Sequence, residues 1–166
     1  MMVMMKKKKY EKELEEEENE LREKIAEEAA NNGEIIYAGG DWAFPLKSRY
    51  VLTSHFNEAR SYERHPGVDL AVPVGTPVYA AQSGKVTVAS YYGGYGNCVM
   101  IFHGDGLTSV YGHNSKLAVK QGKYVRKGEL IAYAGSTGRS SGSHLHFEVR
   151  NSAGTPISPG PFIGVS

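Results

Sequence analysis

The chain has 166 residues, of which 40% are hydrophobic, and this is enough to bury the core of one ordinary domain. Its formal net charge of +1 gives no basis for a nucleic-acid-binding protein, and no apolar run approaches the ~18 residues that a transmembrane helix needs. Cys98 is the single cysteine, so the chain has no disulfide of its own and the fold must depend on its core.

The first 33 residues differ from the rest in charge and composition. They carry seven Lys and Arg against ten Glu, a net charge of −3, whereas residues 34–166 carry twelve Lys and Arg against eight Asp and Glu, a net charge of +4. Residues 6–30 contain no Gly or Pro and consist mostly of strong helix formers, which predicts a short N-terminal helix. The Met-rich start is too short, and precedes the lysines, so it does not resemble a signal peptide.

A weak heptad pattern runs along residues 6–30. Three apolar residues fit one seam and two glutamates interrupt it: Leu14, Leu21, Ile25, Glu18 and Glu28. The pattern favours a solvated single helix or the end of a longer coiled coil over residues 1–33. We therefore expect a monomer, with coiled-coil association through residues 6–30 as the alternative, and a linker over residues 34–41.

From Trp42 onward, short apolar runs separated by turn residues replace the helical composition. The runs predict eight strands, over residues 50–53, 67–71, 77–81, 85–90, 97–103, 107–112, 129–134 and 144–150. Short strands at near-regular spacing, without a helical period, indicate a mainly β, antiparallel fold for one domain over residues 42–166. Pro73 and Pro77 should lie at strand ends or edges.

The last predicted strand carries a His-x-His pattern. Side chains two apart on a strand point to the same face, so His144, His146 and Glu148 share one face, while the apolar residues between them should face the core. Two imidazoles on such a face could both bind one metal ion, or one could bind it while the other contacts a metal-bound water. We expect Glu148 to be solvated, with orientation of an imidazole as the alternative.

A second pair of candidate ligands lies in the stretch HPGVD, which begins at His65. Pro66 biases His65 towards an extended conformation, and Gly67 permits a bend that would let His65 and Asp69 converge. Two imidazoles and a carboxylate with an open fourth position are the arrangement of catalytic zinc. On spacing alone, a metal site and ordinary polar surface or core residues are both open.

Four longer stretches resemble the lysostaphin/LytM-type zinc endopeptidases. They are HPGVDLAVPVGTPVYAAQSGKV, YGNCVMIFHGDG, SVYGHNSKL and VRKGELIAYAGSTGRSSGSHLHFEV, and the resemblance runs in unbroken order from about residue 44 to residue 159. The resemblance implies an antiparallel β-sheet fold of the lysostaphin-like, duplicated hybrid motif type. It also implies a zinc-dependent endopeptidase that hydrolyses amide bonds in the peptide stems or crosslinks of bacterial peptidoglycan.

Carried over position by position, the resemblance gives the histidines different functions. It implies that His65, Asp69 and His146 bind one Zn²⁺ ion. His113, in the stretch YGH, and His144 match the catalytic histidines. Because the chain has no HExxH glutamate, these imidazoles must orient or deprotonate the water, stabilise the oxyanion and protonate the leaving amine.

The remaining histidines receive no catalytic function. His103 matches a histidine at a strand end, for which we expect a structural function, and His55 matches no functional residue and should lie on the surface. The loop before the first ligand departs from the frequent family pattern Ser-x-Phe-Gly-x-Arg, since residues 54–60 read SHFNEAR. This departure concerns the substrate subsites rather than the metal site.

Two loops are expected to line a substrate groove. The stretch YYGGYG contributes Tyr91, Tyr92 and Tyr95 as aromatic walls. The stretch GSTGRSSGS, which leads into the HLH strand, has small residues that would let an extended peptide approach, and Arg139 could contact a substrate carboxylate. Ordinary loop chemistry is the alternative for all four residues.

Two functions other than peptidoglycan hydrolysis are compatible with parts of the sequence. A catalytically inactive relative that binds the wall or regulates an amidase should have lost ligand residues, all of which this chain retains. A lipoyl- or biotinyl-type carrier, indicated by hairpins over residues 81–86 and 122–131, leaves the histidines unexplained. Because peptidoglycan lies outside the cytoplasmic membrane, we expect action on the extracytoplasmic wall by a secreted, envelope-associated or phage-borne protein, although no signal peptide is recognisable.

Overall fold

The computed structural model describes residues 41–59 and 64–166. The predicted helix over residues 6–30, with any coiled-coil association through it, and nearly all of the predicted linker lie outside the described residues. Within the part of the chain that is described, no helix is long and apolar enough to cross a membrane.

The described residues form eleven strands and two short helical turns. The strands are β1 (Val51–Ser54), β2 (Val68–Ala71), β3 (Pro77–Tyr79), β4 (Gly84–Tyr91), β5 (Asn97–Gly104), β6 (Leu107–Asn114), β7 (Lys116–Leu117), β8 (Tyr124–Val125), β9 (Leu130–Tyr133), β10 (His144–Arg150) and β11 (Pro156–Ile157). A 3₁₀ turn spans Gly93–Tyr95 and helix α1 spans Gly160–Ile163. All eight predicted strands are present, and Pro77 begins an edge strand as expected; β7, β8 and β11 were not predicted.

The strands form two antiparallel sheets. The large sheet has the order β1-β2-β10-β6-β5-β4-β8, with β11 paired to β10, and the small sheet has the order β3-β9-β7. Every strand pair is antiparallel, which confirms the predicted mainly β, antiparallel fold. In this order β10 lies between β2 and β6, so the HLH strand is flanked by the strands that carry the HPGVD and YGH stretches.

The apolar face of β10 packs into the core shared by both sheets. Leu145, Phe147 and Val149 are fully buried and belong to one cluster with Val78 of β3 and Ile131 of β9. Burying each large apolar side chain contributes roughly 1.5–3 kcal/mol. The core therefore holds β10 through its apolar face, and the opposite, polar face of the strand carries the residues of the candidate site.

Gly67 allows β2 to lie directly against β10. A Cβ atom at this position would be 2.1 Å from the carbonyl oxygen of Phe147. The structure therefore requires glycine for close backbone approach, whereas the sequence predicted only a bend. This packing sets the register in which Asp69 lies opposite His146 and Ala71 lies opposite His144.

Candidate metal centre

The predicted ligands come together on the polar face of the large sheet. Asp69 and His146 are directly opposite residues of β2 and β10, so their side chains leave the sheet on the same side. His65 reaches them from the loop before β2. His65 and His146 are almost completely buried, at 2% and 5% exposure, while Asp69 is partly exposed.

Three potential ligand atoms form a small triangle. Asp69 Oδ1 lies 2.8 Å from His146 Nδ1 and 3.3 Å from His65 Nε2, and the two imidazole nitrogens are 3.3 Å apart. Ligand atoms at the usual ~2.0–2.1 Å from a tetrahedral zinc ion are ~3.3–3.4 Å apart. The two separations that involve His65 match this value, and the 2.8 Å between Asp69 and His146 is shorter. Two imidazoles and one carboxylate at these separations have the chemistry and about the spacing of zinc ligands.

The tautomer of His65 is set by the loop that departs from the family pattern. Its Nδ1 donates to the backbone carbonyl of His55 at 2.9 Å and lies 3.1 Å from Ser54 Oγ, which in turn donates to Glu58 Oε2 at 2.8 Å. Because Nδ1 carries the proton, Nε2 is unprotonated and its lone pair faces Asp69. The His55 side chain is exposed, as predicted, but its carbonyl supports the site.

Glu148 is not solvated, and the prediction of a surface carboxylate is wrong. It has no exposed surface, and its Oε2 lies 3.4 Å from His146 Nε2 and 3.5 Å from Arg150 Nη2. Although burial alone would raise the pKa of Glu148, its contacts with His146, Arg150 and Tyr95 hold that pKa below its ordinary value. The polar face of β10 therefore continues as a charged network inside the protein.

The cluster favours a positive charge at its centre. Burial alone would raise the pKa of Asp69, but its close contacts with His146 and His65 hold it well below its usual range. Burial would likewise lower the pKa of His146, yet its contacts with Asp69 and Glu148 raise it above the ordinary value. A metal ion and a proton compete for the same imidazole nitrogen. The negative surroundings that favour a proton on His146 therefore also favour a divalent cation.

The two predicted catalytic histidines stand beside this cluster. His144 Nδ1 donates to the carbonyl of Gly142 at 2.8 Å, while its Nε2 lies 3.5 Å from Asp69 Oδ1. The ring of His113 lies 4.7 Å from that of His144 and 5.8 Å from that of His146, between centroids. All five residues predicted to bind metal or act in catalysis thus lie at one place.

Comparison with known proteins decides the family. Residues 63–159, more than half of the chain, match the family described as Peptidase family M23. The chain belongs to peptidase family M23. This confirms the resemblance to lysostaphin-type peptidases, and the matched residues include the metal-centre cluster of His65, Asp69 and His146.

Relatives of this M23 domain include wall enzymes and a zinc peptidase. It is 41% identical to the peptidoglycan DD-endopeptidase ShyB of Vibrio cholerae, over 64% of this chain and 26% of the relative. A zinc-containing peptidase from Vibrio cholerae is 39% identical, with a TM-score of 0.65, over 69% of this chain and 37% of that one. The catalytic domain of lysostaphin from Staphylococcus simulans is 35% identical, with a TM-score of 0.60, over 67% and 87%. The chain spans about a quarter of the length of several curated relatives, ShyB among them, and less than half of the others.

In this M23 domain, His113 has a strained backbone. Its φ is +64°, a left-handed conformation that costs a non-glycine residue free energy and often marks a functional site. The imidazole Nδ1 donates to the carbonyl of Thr137 at 2.8 Å, and the hydroxyl of Thr137 donates to the carbonyl of Asn114 at 2.6 Å. Burial lowers the pKa of His113, which keeps the imidazole neutral at pH 7.

The two predicted groove loops meet next to His113. The backbone N–H of Arg139 donates to the carbonyl of Gly94 at 2.8 Å, which joins the loops. Tyr91 and Tyr92 are 64% and 39% exposed, and Arg139 is exposed as well. Tyr95 is half-buried, and its hydroxyl accepts a hydrogen bond from Arg150 Nη2 at 3.0 Å, so this end of the tyrosine faces inward.

His103 lies away from the cluster and has neutral partners. It is fully buried, and its Nδ1 donates to the Ser83 carbonyl at 2.8 Å while Nε2 lies 2.7 Å from the Ser109 hydroxyl. These contacts fit the structural function predicted for it. Cys98 is buried too, which raises the pKa of its thiol to about 12 and makes it a poor nucleophile.

Sequence reasoning missed four residues that support the site: Ser54, Glu58, Thr137 and Arg150. Arg150 could have been found, because it continues the alternation of β10 two positions beyond Glu148. The other three act through a hydroxyl, a remote carboxylate or a backbone carbonyl, and no spacing pattern marks such contacts.

Proposed function

We propose that residues 42–166 are the catalytic domain of a zinc-dependent endopeptidase that hydrolyses amide bonds in the peptide stems or crosslinks of bacterial peptidoglycan. The convergence of His65, Asp69 and His146 in a triangle of zinc-ligand size, with His113 and His144 beside it, carries this proposal. Membership of family M23 and the names of a peptidoglycan endopeptidase and a zinc-containing peptidase among the relatives support it.

In this proposal His65 Nε2, His146 Nδ1 and Asp69 Oδ1 hold one Zn²⁺ ion. Three protein ligands leave a fourth position open, which is the arrangement of catalytic rather than structural zinc. When bound, zinc supplies Lewis-acid polarisation of a carbonyl and makes water nucleophilic near neutral pH. The hydrogen bond from His65 Nδ1 to the His55 carbonyl orients the imidazole of His65.

His113 and His144 handle the protons. Both donate Nδ1–H to a backbone carbonyl, of Thr137 and Gly142 respectively, so Nε2 of each ring is the atom that exchanges protons at the site. A neutral His113 can accept a proton from the attacking water, and an imidazolium can return one to the leaving amine. Such general acid–base help is typically worth about 10²–10⁴-fold in rate.

Exposed side chains of the two loops are the proposed contacts for the peptide. Tyr91 and Tyr92 offer aromatic surface, and Arg139 offers a cation for a carboxylate of the substrate. Because this substrate lies outside the cytoplasmic membrane, we place the activity at the extracytoplasmic wall.

Digestion of purified walls tests this function. Peptidoglycans of several crosslink types are incubated with the zinc-loaded protein, with the chelator-treated protein and with the chelated protein after zinc is restored. We expect new amino termini that appear only with zinc, and their identity names the bond that is cut. A protein that binds zinc and walls without releasing amino termini would contradict the proposal and favour the inactive relative.

A further inference from the structure

The polar face of β10 leads from the metal-centre cluster into the protein interior. His146, Glu148 and Arg150 lie two positions apart along the strand and therefore on one face. Glu148 has no exposed surface. Because burial of an ionised carboxylate is costly unless it is paired and hydrogen-bonded, the partners of Glu148 indicate what it does.

These partners close a ring of four side chains. Glu148 Oε2 lies 3.4 Å from His146 Nε2 and 3.5 Å from Arg150 Nη2, and the same Arg150 nitrogen donates to the Tyr95 hydroxyl at 3.0 Å. The ring of Tyr95 returns to His146, with 5.6 Å between the centroids. Gly112, opposite His146 on β6, leaves room for this packing, since a Cβ there would lie 3.2 Å from Tyr95 Cδ1.

We propose that Glu148 is a positioning residue for His146, and that Arg150 and Tyr95 hold Glu148 in place. The negative charge of Glu148, 3.4 Å from Nε2, favours the His146 tautomer with its proton on Nε2, which leaves the Nδ1 lone pair facing Asp69 and His65. This inference rests on the proposed function, because it takes His146 as a metal ligand. Tyr95, predicted as a groove wall, thereby links its loop to His146 through contacts within the protein interior.

The contact with the imidazole distinguishes this function from a merely structural ion pair. A structural pair needs only Arg150, yet the same Glu148 oxygen also lies within ion-pair distance of His146 Nε2. A carboxylate partner makes a ligating imidazole more basic and fixes its orientation, and loss of such a partner typically costs about 10–100-fold in metal affinity.

The variants must separate positioning from folding. Removal of one member of a buried ion pair leaves the other unpaired and can unfold the protein, so the main variant is the double substitution Glu148→Leu with Arg150→Met, which removes both charges. Glu148→Gln keeps the shape and an acceptor but removes the charge. Ser109→Ala is the matched control, because Ser109 is fully buried on the neighbouring β6 and its hydroxyl contacts His103 and Tyr111 rather than the metal centre.

Zinc affinity of the full chain is measured by competition with a chromophoric chelator, alongside the visible spectrum of the Co²⁺-substituted protein and urea unfolding. We expect the double variant to weaken zinc binding by roughly 10–100-fold, Glu148→Gln to weaken it less, and both to alter the Co²⁺ spectrum. Ser109→Ala should lower stability while its zinc affinity and spectrum match the wild type.

Two outcomes would overturn this inference in different ways. Folded Glu148 variants with wild-type zinc affinity and an unchanged Co²⁺ spectrum would show that Glu148 only balances Arg150, and the proposed function would stand. A wild-type protein that binds no zinc would refute the metal site itself, and the positioning function would fall with it.

Discussion

Two buried histidines in the same sheet have opposite environments. His103 on β5 is fully buried with neutral partners, the carbonyl of Ser83 and the hydroxyl of Ser109. Burial therefore lowers its pKa to about 4. His146 on β10 is almost as buried, but its two nitrogens face the carboxylates of Asp69 and Glu148, and these raise its pKa above the ordinary value.

The comparison shows that partners, rather than burial, separate a structural histidine from a candidate ligand. Neutral donors and acceptors satisfy His103 without any need for a positive charge. Two carboxylates face His146 and Arg150 pairs with one of them, Glu148, so that the charge of Asp69 is left for a proton or a metal ion to balance. The same residue type on two strands of one sheet therefore serves packing in one place and chemistry in the other.

The sharpest way to break this comparison is to remove each imidazole in turn. His146→Ala should lose zinc and hydrolysis together, because it deletes one of three donor atoms, and the affinity loss should exceed the ~10–100-fold that is typical of outer contacts. His103→Gln should keep zinc. Zinc content after gel filtration and release of amino groups from peptidoglycan measure both effects. Stoichiometric zinc in His146→Ala would contradict the ligand assignment.

A catalytic histidine that binds no metal should behave differently from both. His113→Ala should retain one zinc ion and lower kcat by about 10²–10⁴-fold, because it removes a proton acceptor without touching a ligand. Zinc content and initial rates on the same peptidoglycan measure whether zinc is retained while kcat falls. Wild-type turnover in the variant would remove His113 from the mechanism.

The neutral environment of His103 predicts a pH-dependent stability. Its pKa is about 4 in the folded chain and 6.5 ordinarily, so between these values the unfolded chain binds more protons. The contribution of neutral His103 is complete above pH 6.5 and is lost as pH falls towards 4, by an amount of ~3 kcal/mol.

Urea unfolding at pH 7.5, 5.5 and 4.5 measures this loss, with His146→Ala as the background so that release of zinc in acid does not contribute. His103→Gln in that background should show a smaller decline of the unfolding free energy with falling pH. Equal declines in the two proteins would show that His103 does not titrate as described.

The smallest expected effect concerns the backbone that presents His113. The Thr137 hydroxyl donates to the Asn114 carbonyl at 2.6 Å and accepts from the Asn97 N–H at 3.0 Å, which fixes the carbonyl that binds His113 Nδ1. Thr137→Val should lower kcat by about 10-fold, less than the ~10²-fold that a 1 Å misplacement can cost, with zinc content unchanged. Thr137→Ser, which keeps the hydroxyl, is the control and should restore the rate; equal rates in the two variants would exclude this contact.

The sequence predicted the features that alternate along one strand. The pattern of HLHFEV placed Leu145, Phe147 and Val149 in the core, where the structure has them. It also placed Glu148 correctly on the face of the histidines, but took that face to be solvated. Alternation tells which side of a strand a residue occupies, whereas only the tertiary structure tells whether that side is covered, here by Tyr95 and its loop.

Other features had no pattern to reveal them. Strands β7, β8 and β11 have two residues each, too few for any period. The left-handed φ of His113 has no sequence pattern to mark it, although histidine adopts this conformation more often than most residues. The proposed metal ligands were predictable only as a set, since the family resemblance connected His65 and Asp69 with His146, which lies 81 and 77 residues further on.

The position of the metal ion tests the central claim most directly. Crystals of the zinc-loaded chain, measured with anomalous scattering at the zinc edge, should show one site at ~2.0–2.2 Å from His65 Nε2, Asp69 Oδ1 and His146 Nδ1. His113 and His144 should lie beside the ion without being bound to it. A zinc ion held by His144 in place of His146, or bound outside this cluster, would contradict the account.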